Sequence, residues 1–234
     1  MSFPGCVMPF ALHVNPNCKC WGPNTDRKRL SLVLWCMFCV REEMEVSEES
    51  SKPQLVTKKV KPIEATPESF KEYGQVIEAS PDGEEFGPQD AQLNLSQGIP
   101  RFYIMHLENR PLRFSTITHH ANVTQCLGAI GGGEWYLGVA KPSILDSKDA
   151  TGNDSAVKSR SGHFYVPPVV DEVHVFRISG PKFIKLNQGT WHAGPLFKAD
   201  GMDFYNLELS NTNVVDHTTH NFNKQNGVTF SIDE

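Results

Sequence analysis

The sequence predicts an all-β domain, a sandwich or an antiparallel barrel, and three observations point there. Short runs rich in β-branched and aromatic residues follow one another at 102–107, 114–119, 134–140, 163–166, 173–178, 183–186 and 204–209. Gly, Pro, Asn or Asp bounds each run, as turns between strands require. Helical periodicity nearly vanishes after Gly74. Before that point, Thr66-Pro67-Glu68 reads as a helix start, with a capping hydroxyl, a proline in the first turn and an acid beside it. Gly74 is the expected stop, which gives a short helix over 67–73. The polar, aperiodic stretch 143–161 predicts a long, mobile surface loop. Gly131, Gly132 and Gly133 precede a strand, so they predict a turn and not a phosphate-binding loop.

The 234 residues and their ordinary apolar content fit one folded domain plus an extension. A formal net charge of −5 argues against nucleic acid or an anionic membrane as the main partner, because both require a basic face. No apolar run approaches the length of a membrane-spanning helix. Residues 1–57 are expected to be a disordered or processed extension, and 58–234 the domain. The extension carries an apolar run, 30–40, flanked by charges, that begins late for a secretory signal and lacks a small-residue cleavage pattern. Met44 opens a Ser/Glu-rich stretch and is an alternative start of translation. Cys6, Cys18, Cys20, Cys36 and Cys39 crowd the extension, while the domain holds only Cys126, read as a buried filler. That distribution suits a reducing, cytoplasmic setting, with organellar targeting by residues 1–43 left open.

Two segments can carry chemistry. In 114–125 (FSTITHHANVTQ), strand alternation puts Phe114, Thr116, Thr118 and His120 on one face and Ser115, Ile117 and His119 on the other. The spacing from His120 to Gln125 and on to Gly132 is similar to the first half-motif of cupins. There His120 matches the second histidine, Gln125 the acid, and Thr118 stands in place of the first histidine. In 187–195 (NQGTWHAGP), Gly189-x-x-His192 resembles the second half-motif. The resemblance implies a cupin-like antiparallel β-barrel of jelly-roll type, with one or two short peripheral helices. His120, Gln125 and His192 would converge at its mouth. Two imidazoles and an amide make a poor set for a divalent metal, so the cofactor stays unassigned and metal is not required. His106, His163, His174, His217 and His220 receive no role.

A fuller resemblance, spanning most of the domain, is to the ureidoglycolate lyase family of cupin-fold proteins. TPESFKEYGQVIE resembles that family's opening helix and strand, and GIPRF places Arg101 at a matching arginine. THHANVTQ resembles its Glu-Arg-His-Pro motif through His120 and Gln125. NQGTWHAGPL resembles its Trp-His-x-Pro-Leu motif through Trp191, His192, Pro195 and Leu196, with one extra residue. DFYNLEL matches the closing strand at Asp203 and Phe204. Departures fall at His119 (arginine in the family), Leu186 and Asn187 (Tyr-His), and Glu208 and Leu209 (Asp-Arg).

The resemblance implies cleavage of ureidoglycolate to glyoxylate and urea, in allantoin and purine catabolism. His120 or His192 would act as base and acid in turn, with Gln125 donating a hydrogen bond to the developing oxyanion or accepting one from the substrate. Arg101 would hold the substrate carboxylate, and Trp191, matched to the family's substrate-binding motif, is read as core or pocket wall and not as a catalyst. The implied partners are a small-molecule carboxylate and a second copy in a homodimer. Two alternatives stay open. One is a cupin that binds a small carboxylate without turnover, the other a metal-dependent cupin enzyme of different specificity.

Overall fold

A computed structural model describes residues 55–234. The readings made on 1–54, namely the leader run, its cysteines and the Met44 start, lie outside the described residues. The first strand, Val56–Val60, straddles the expected boundary at residue 58. The described chain is mostly β, in several sheets.

Two sheets dominate. The six-stranded sheet runs in the order Thr218–Asn221, Thr116–His119, Trp191–Leu196, Trp135–Ala140, His174–Ile178, Ile63–Glu64. The five-stranded sheet runs Gly74–Ile77, Phe183–Leu186, Gln125–Ala129, Gly201–Leu209, Pro100–Glu108. Their pairings are antiparallel except where Phe176 lies beside Ile63. Among the described residues the expected closed barrel does not form, since no ladder joins the edge of one sheet to the edge of the other. The run 114–119, expected as one strand, is two. Arg113–Phe114 joins a small sheet with Val228–Ile232 and Val56–Val60, while Thr116–His119 joins the six-stranded one. Phe114 therefore sits apart from Thr116 and Thr118, stacked on Phe230 with ring centroids 5.0 Å apart.

The sheets face each other across an apolar layer. Trp135, Leu137, Val139, Phe176 and Ile178 from one meet Leu127, Ile184, Leu186 and Phe204 from the other. Each such side chain contributes about 1.5–3 kcal/mol by leaving water. A second core lies behind the six-stranded sheet, where Tyr136, Trp191 and Ile117 pack on Phe114, Phe222 and Phe230. The strand Trp135–Ala140 is buried on both faces, which is why it reads as a continuous apolar run. Between them, Gly138 admits the Phe114 ring, which a Cβ there would meet at 2.4 Å.

The helix begins as expected. Thr66 and Ser69 form a reciprocal cap, and Phe70 packs edge-on against Phe176. It ends at Phe70 and not at residue 73, because Gly74 opens a strand in place of closing the helix. Gly74 pairs with Leu186, and a Cβ on it would stand 1.8 Å from the Lys185 carbonyl oxygen. The segment 143–161, expected as an unbroken loop, carries the strands Ile144–Leu145 and Val157–Lys158 and the helix Ser147–Ala150. Gly131 and Gly132 form the expected turn. Among the described residues no helix is long and apolar enough to cross a membrane.

Candidate functional site

A cavity of about 420 Å³ opens between the inner faces of the two large sheets. Thr116, Thr118 and His192 line it from the six-stranded sheet. Tyr103, Met105, Gln125, Asn206 and Glu208 line it from the five-stranded sheet. His120, Arg110 and His217 enter from connecting segments. Larger open grooves, of about 470 to 610 Å³, lie elsewhere, but no histidine lines any of them, and in one of them Arg177 pairs with Glu64 and Lys198 with Glu234. The histidine-lined cavity is therefore the candidate site.

Main chain sets both imidazoles. His120 follows the strand Thr116–His119, and its Nδ1–H donates to the Asp216 carbonyl oxygen. The Asp216 carboxylate accepts from the N–H groups of Ala121 and Asn122 at 2.9 and 2.7 Å, and so pins the corner that carries His120. The His120 carbonyl accepts from the Gly189 N–H at 2.7 Å, tying that corner to the turn before His192. His192 pairs with Thr118 across the ladder, and its Nδ1–H donates to the Thr190 carbonyl at 3.2 Å. A carbonyl can only accept, so each Nδ1 carries the proton and each Nε2 keeps its lone pair. The His120 ring lies 5.4 Å from His192 and 5.6 Å from His217, centroid to centroid.

Burial holds the two rings neutral. It pushes His192 down to about 3, with His120 adding to the effect. Burial also lowers His120, opposed in part by the Asp216 carbonyl. At neutral pH the cavity thus presents uncharged bases.

The opposite wall is a polar chain. Gln125 Nε2 donates to Glu208 Oε2 at 2.8 Å, Tyr103 donates to Glu208 Oε1 at 3.3 Å, and Asn206 donates to the Tyr103 hydroxyl at 3.0 Å. Glu208 is only 2% exposed. A carboxylate so buried needs donors and a counter-charge. Arg101 helps supply the latter from 4.0 Å.

Of the sequence-predicted residues, His120, Gln125 and His192 meet in this cavity. Arg101 does not line it, because its guanidinium stacks 3.7 Å from the Tyr103 ring centroid. The cation on the cavity wall is Arg110, which makes no ion pair or side-chain hydrogen bond among the described residues. Trp191 is fully buried behind the six-stranded sheet, its indole N–H donating to Ser143 Oγ at 2.9 Å and its ring 4.0 Å from that of His119. Neighbouring residues on a strand face opposite ways, so Trp191 and His192 cannot both reach one pocket. The same rule turns His119 away from His120 and against His163, Nε2 to Nε2, at 2.7 Å.

Sequence reasoning missed Glu208, Asn206, Tyr103, Arg110 and His217. Alternation in Gly201–Leu209 held a signal for two of them: Phe204, Asn206 and Glu208 share one buried face, and polar residues at core-facing positions mark a site. Nothing local in the sequence singles out Arg110 or His217. Among the described residues no group of three or more His, Cys, Asp or Glu side chains is arranged to hold a metal ion. No protein-family model matches the chain, and no curated protein matches it.

Proposed function

We propose that this protein is a ureidoglycolate lyase-type enzyme, cleaving a small hydroxylated carboxylate by acid–base chemistry within a cupin-like jelly roll. The observation that carries the reading is the pair of neutral imidazoles, His120 and His192, both holding a free Nε2 toward one cavity. Passage of the chain between the two large sheets at nearly every connection from Thr116 to Asn221 supports the jelly-roll part. In this mechanism an imidazole Nε2 takes the substrate hydroxyl proton, the carbonyl forms, and the carbon–nitrogen bond breaks. The imidazolium returns the proton to the departing ureido nitrogen. Gln125, oriented by Glu208, offers its amide to the reacting oxygen. Arg110 takes the clamp role that the family resemblance gave to Arg101, since it is the guanidinium on the cavity wall.

The test is ureidoglycolate turnover by the full chain, corrected for spontaneous decay. Wild type is expected to release glyoxylate, with His120→Ala and His192→Ala each about 100-fold slower or worse. Turnover untouched by both substitutions would reject the assignment.

One observation favours a second reading, a binding protein without turnover. A ring held neutral down to about pH 3, as His192 is, is a weak base and takes the hydroxyl proton poorly. Saturable calorimetric binding of ureidoglycolate with no glyoxylate released would select it. We further propose a homodimer paired through the strand Pro100–Glu108, an edge that meets only Gly201–Leu209 among the described residues.

A further inference from the structure

Lys185 lies outside the site just described and has a chemistry of its own. In the strand Phe183–Leu186, Ile184 and Leu186 fill the core, so Lys185 turns to the opposite face of the five-stranded sheet. It is nevertheless only 6% exposed. It helps line a separate cavity of about 470 Å³, with Phe86, Leu93, Asn94, Thr124 and Gln188 around it.

The amine has one hydrogen-bond acceptor, the neutral Asn187 Oδ1 at 2.7 Å. No carboxylate lies within ion-pair distance of it among the described residues. Its cross-strand neighbour is Cys126, and burial pushes that thiol up to about 11, so it brings no counter-charge at neutral pH. Other polar side chains of the cavity have partners of their own. Asn94 Nδ2 donates to Gln188 Oε1 at 3.2 Å, Thr124 donates to the Asn94 carbonyl at 3.3 Å, and Gln188 donates to the Ala121 carbonyl at 3.3 Å. An ammonium buried without a counter-charge is costly, and the environment is relieved when the group gives up its proton. Burial accordingly lowers the Lys185 pKa. A free amine at the wall of a cavity is a nucleophile toward carbonyl carbon.

We propose that Lys185 is a second reactive site, which condenses with small aldehydes entering this cavity to form a Schiff base. The Nζ lone pair bonds to the carbonyl carbon, and an amine proton passes to the carbonyl oxygen. That oxygen leaves as water with the second amine proton, and the C=N bond remains. No oxidant or reductant takes part.

The full chain is treated at pH 7 with propanal and sodium cyanoborohydride, which reduces the imine to a stable secondary amine. The rate at every lysine is then read by peptide mass spectrometry. Lys185 is expected to react about tenfold faster than Lys71 and Lys141, whose ammonium forms are favoured by Glu68 and Glu72. The advantage should shrink as pH is raised toward 10, where exposed amines also lose their protons. It should vanish in urea-unfolded protein. Lys185 left unmodified, or labelled no faster than Lys71 and Lys141 at pH 7, would overturn the proposal. All rates come from one wild-type sample, so the outcome does not hang on a variant folding.

Discussion

His119 and His192 stand on adjoining strands with their rings on opposite faces, and burial drives both from the ordinary 6.5 to about 3. The cost appears as pH-dependent stability. Below pH 6.5 the unfolded chain binds protons that the folded chain refuses, so stability falls with pH and continues to fall until about pH 3. Each ring contributes up to about 1.4 kcal/mol per pH unit across that window. Urea unfolding of wild type and His192→Gln between pH 7 and pH 4 checks this. The variant should show the shallower loss, and parallel slopes would contradict the burial of this ring. At this scale the sequence was legible where a motif fixed spacing, which brought out His120, Gln125 and His192. For Trp191, read as core or pocket wall, alternation decides for the rear core and against the substrate-binding assignment that the motif suggested. Glu208, read only as a departure from a family pattern, is the hub of the polar wall.

Local signals of different strength decide the elements. The Thr66–Ser69 cap was readable because it lies within four consecutive residues. Gly74 was misassigned because its reason is a strand distant in sequence, whose Lys185 carbonyl leaves no room for a side chain. The two positions therefore respond differently to alanine. Thr66→Ala should cost about 1 kcal/mol, the ordinary value of a lost cap. Gly74→Ala should cost more, about 3 kcal/mol, because backbone atoms must part. Chemical denaturation measures both, and a Gly74→Ala protein as stable as wild type would show that the strands can separate freely there. The strand Gln125–Ala129 was invisible for a related reason. Its polar first residue faces the cavity and its glycine is overlain by Phe183, so neither an apolar run nor clean alternation survives.

For the molecule as a whole, the all-β character was plain, while closure of a barrel was not decided by the strand count. Closure depends on which edges pair, a matter between residues far apart in sequence. One consequence is that long edges remain. On Pro100–Glu108, Phe102 and Ile104 are 65% and 60% exposed, and Phe102 stacks on Tyr205, which stacks on Phe183. An edge strand of nine residues that exposes Phe102 and Ile104 is an invitation to further strand addition unless something covers it. If that cover is a second copy, Ile104→Lys should shift the protein from dimer to monomer in sedimentation without loss of folded signal. A wild type that is monomeric at micromolar concentration would remove the dimer from consideration.

The carbonyls that hold His120 and His192 belong to the main chain, at Asp216 and Thr190. A backbone oxygen is the one group that substitution does not change. A substitution at Thr190 or Asp216 thus leaves the acceptor that sets each ring's proton in the chain, while substitutions at Asn206 or His217 would change the wall around them. Such a site is easily repurposed: descendants could exchange ligands by altering its variable wall and inherit the two oriented bases intact.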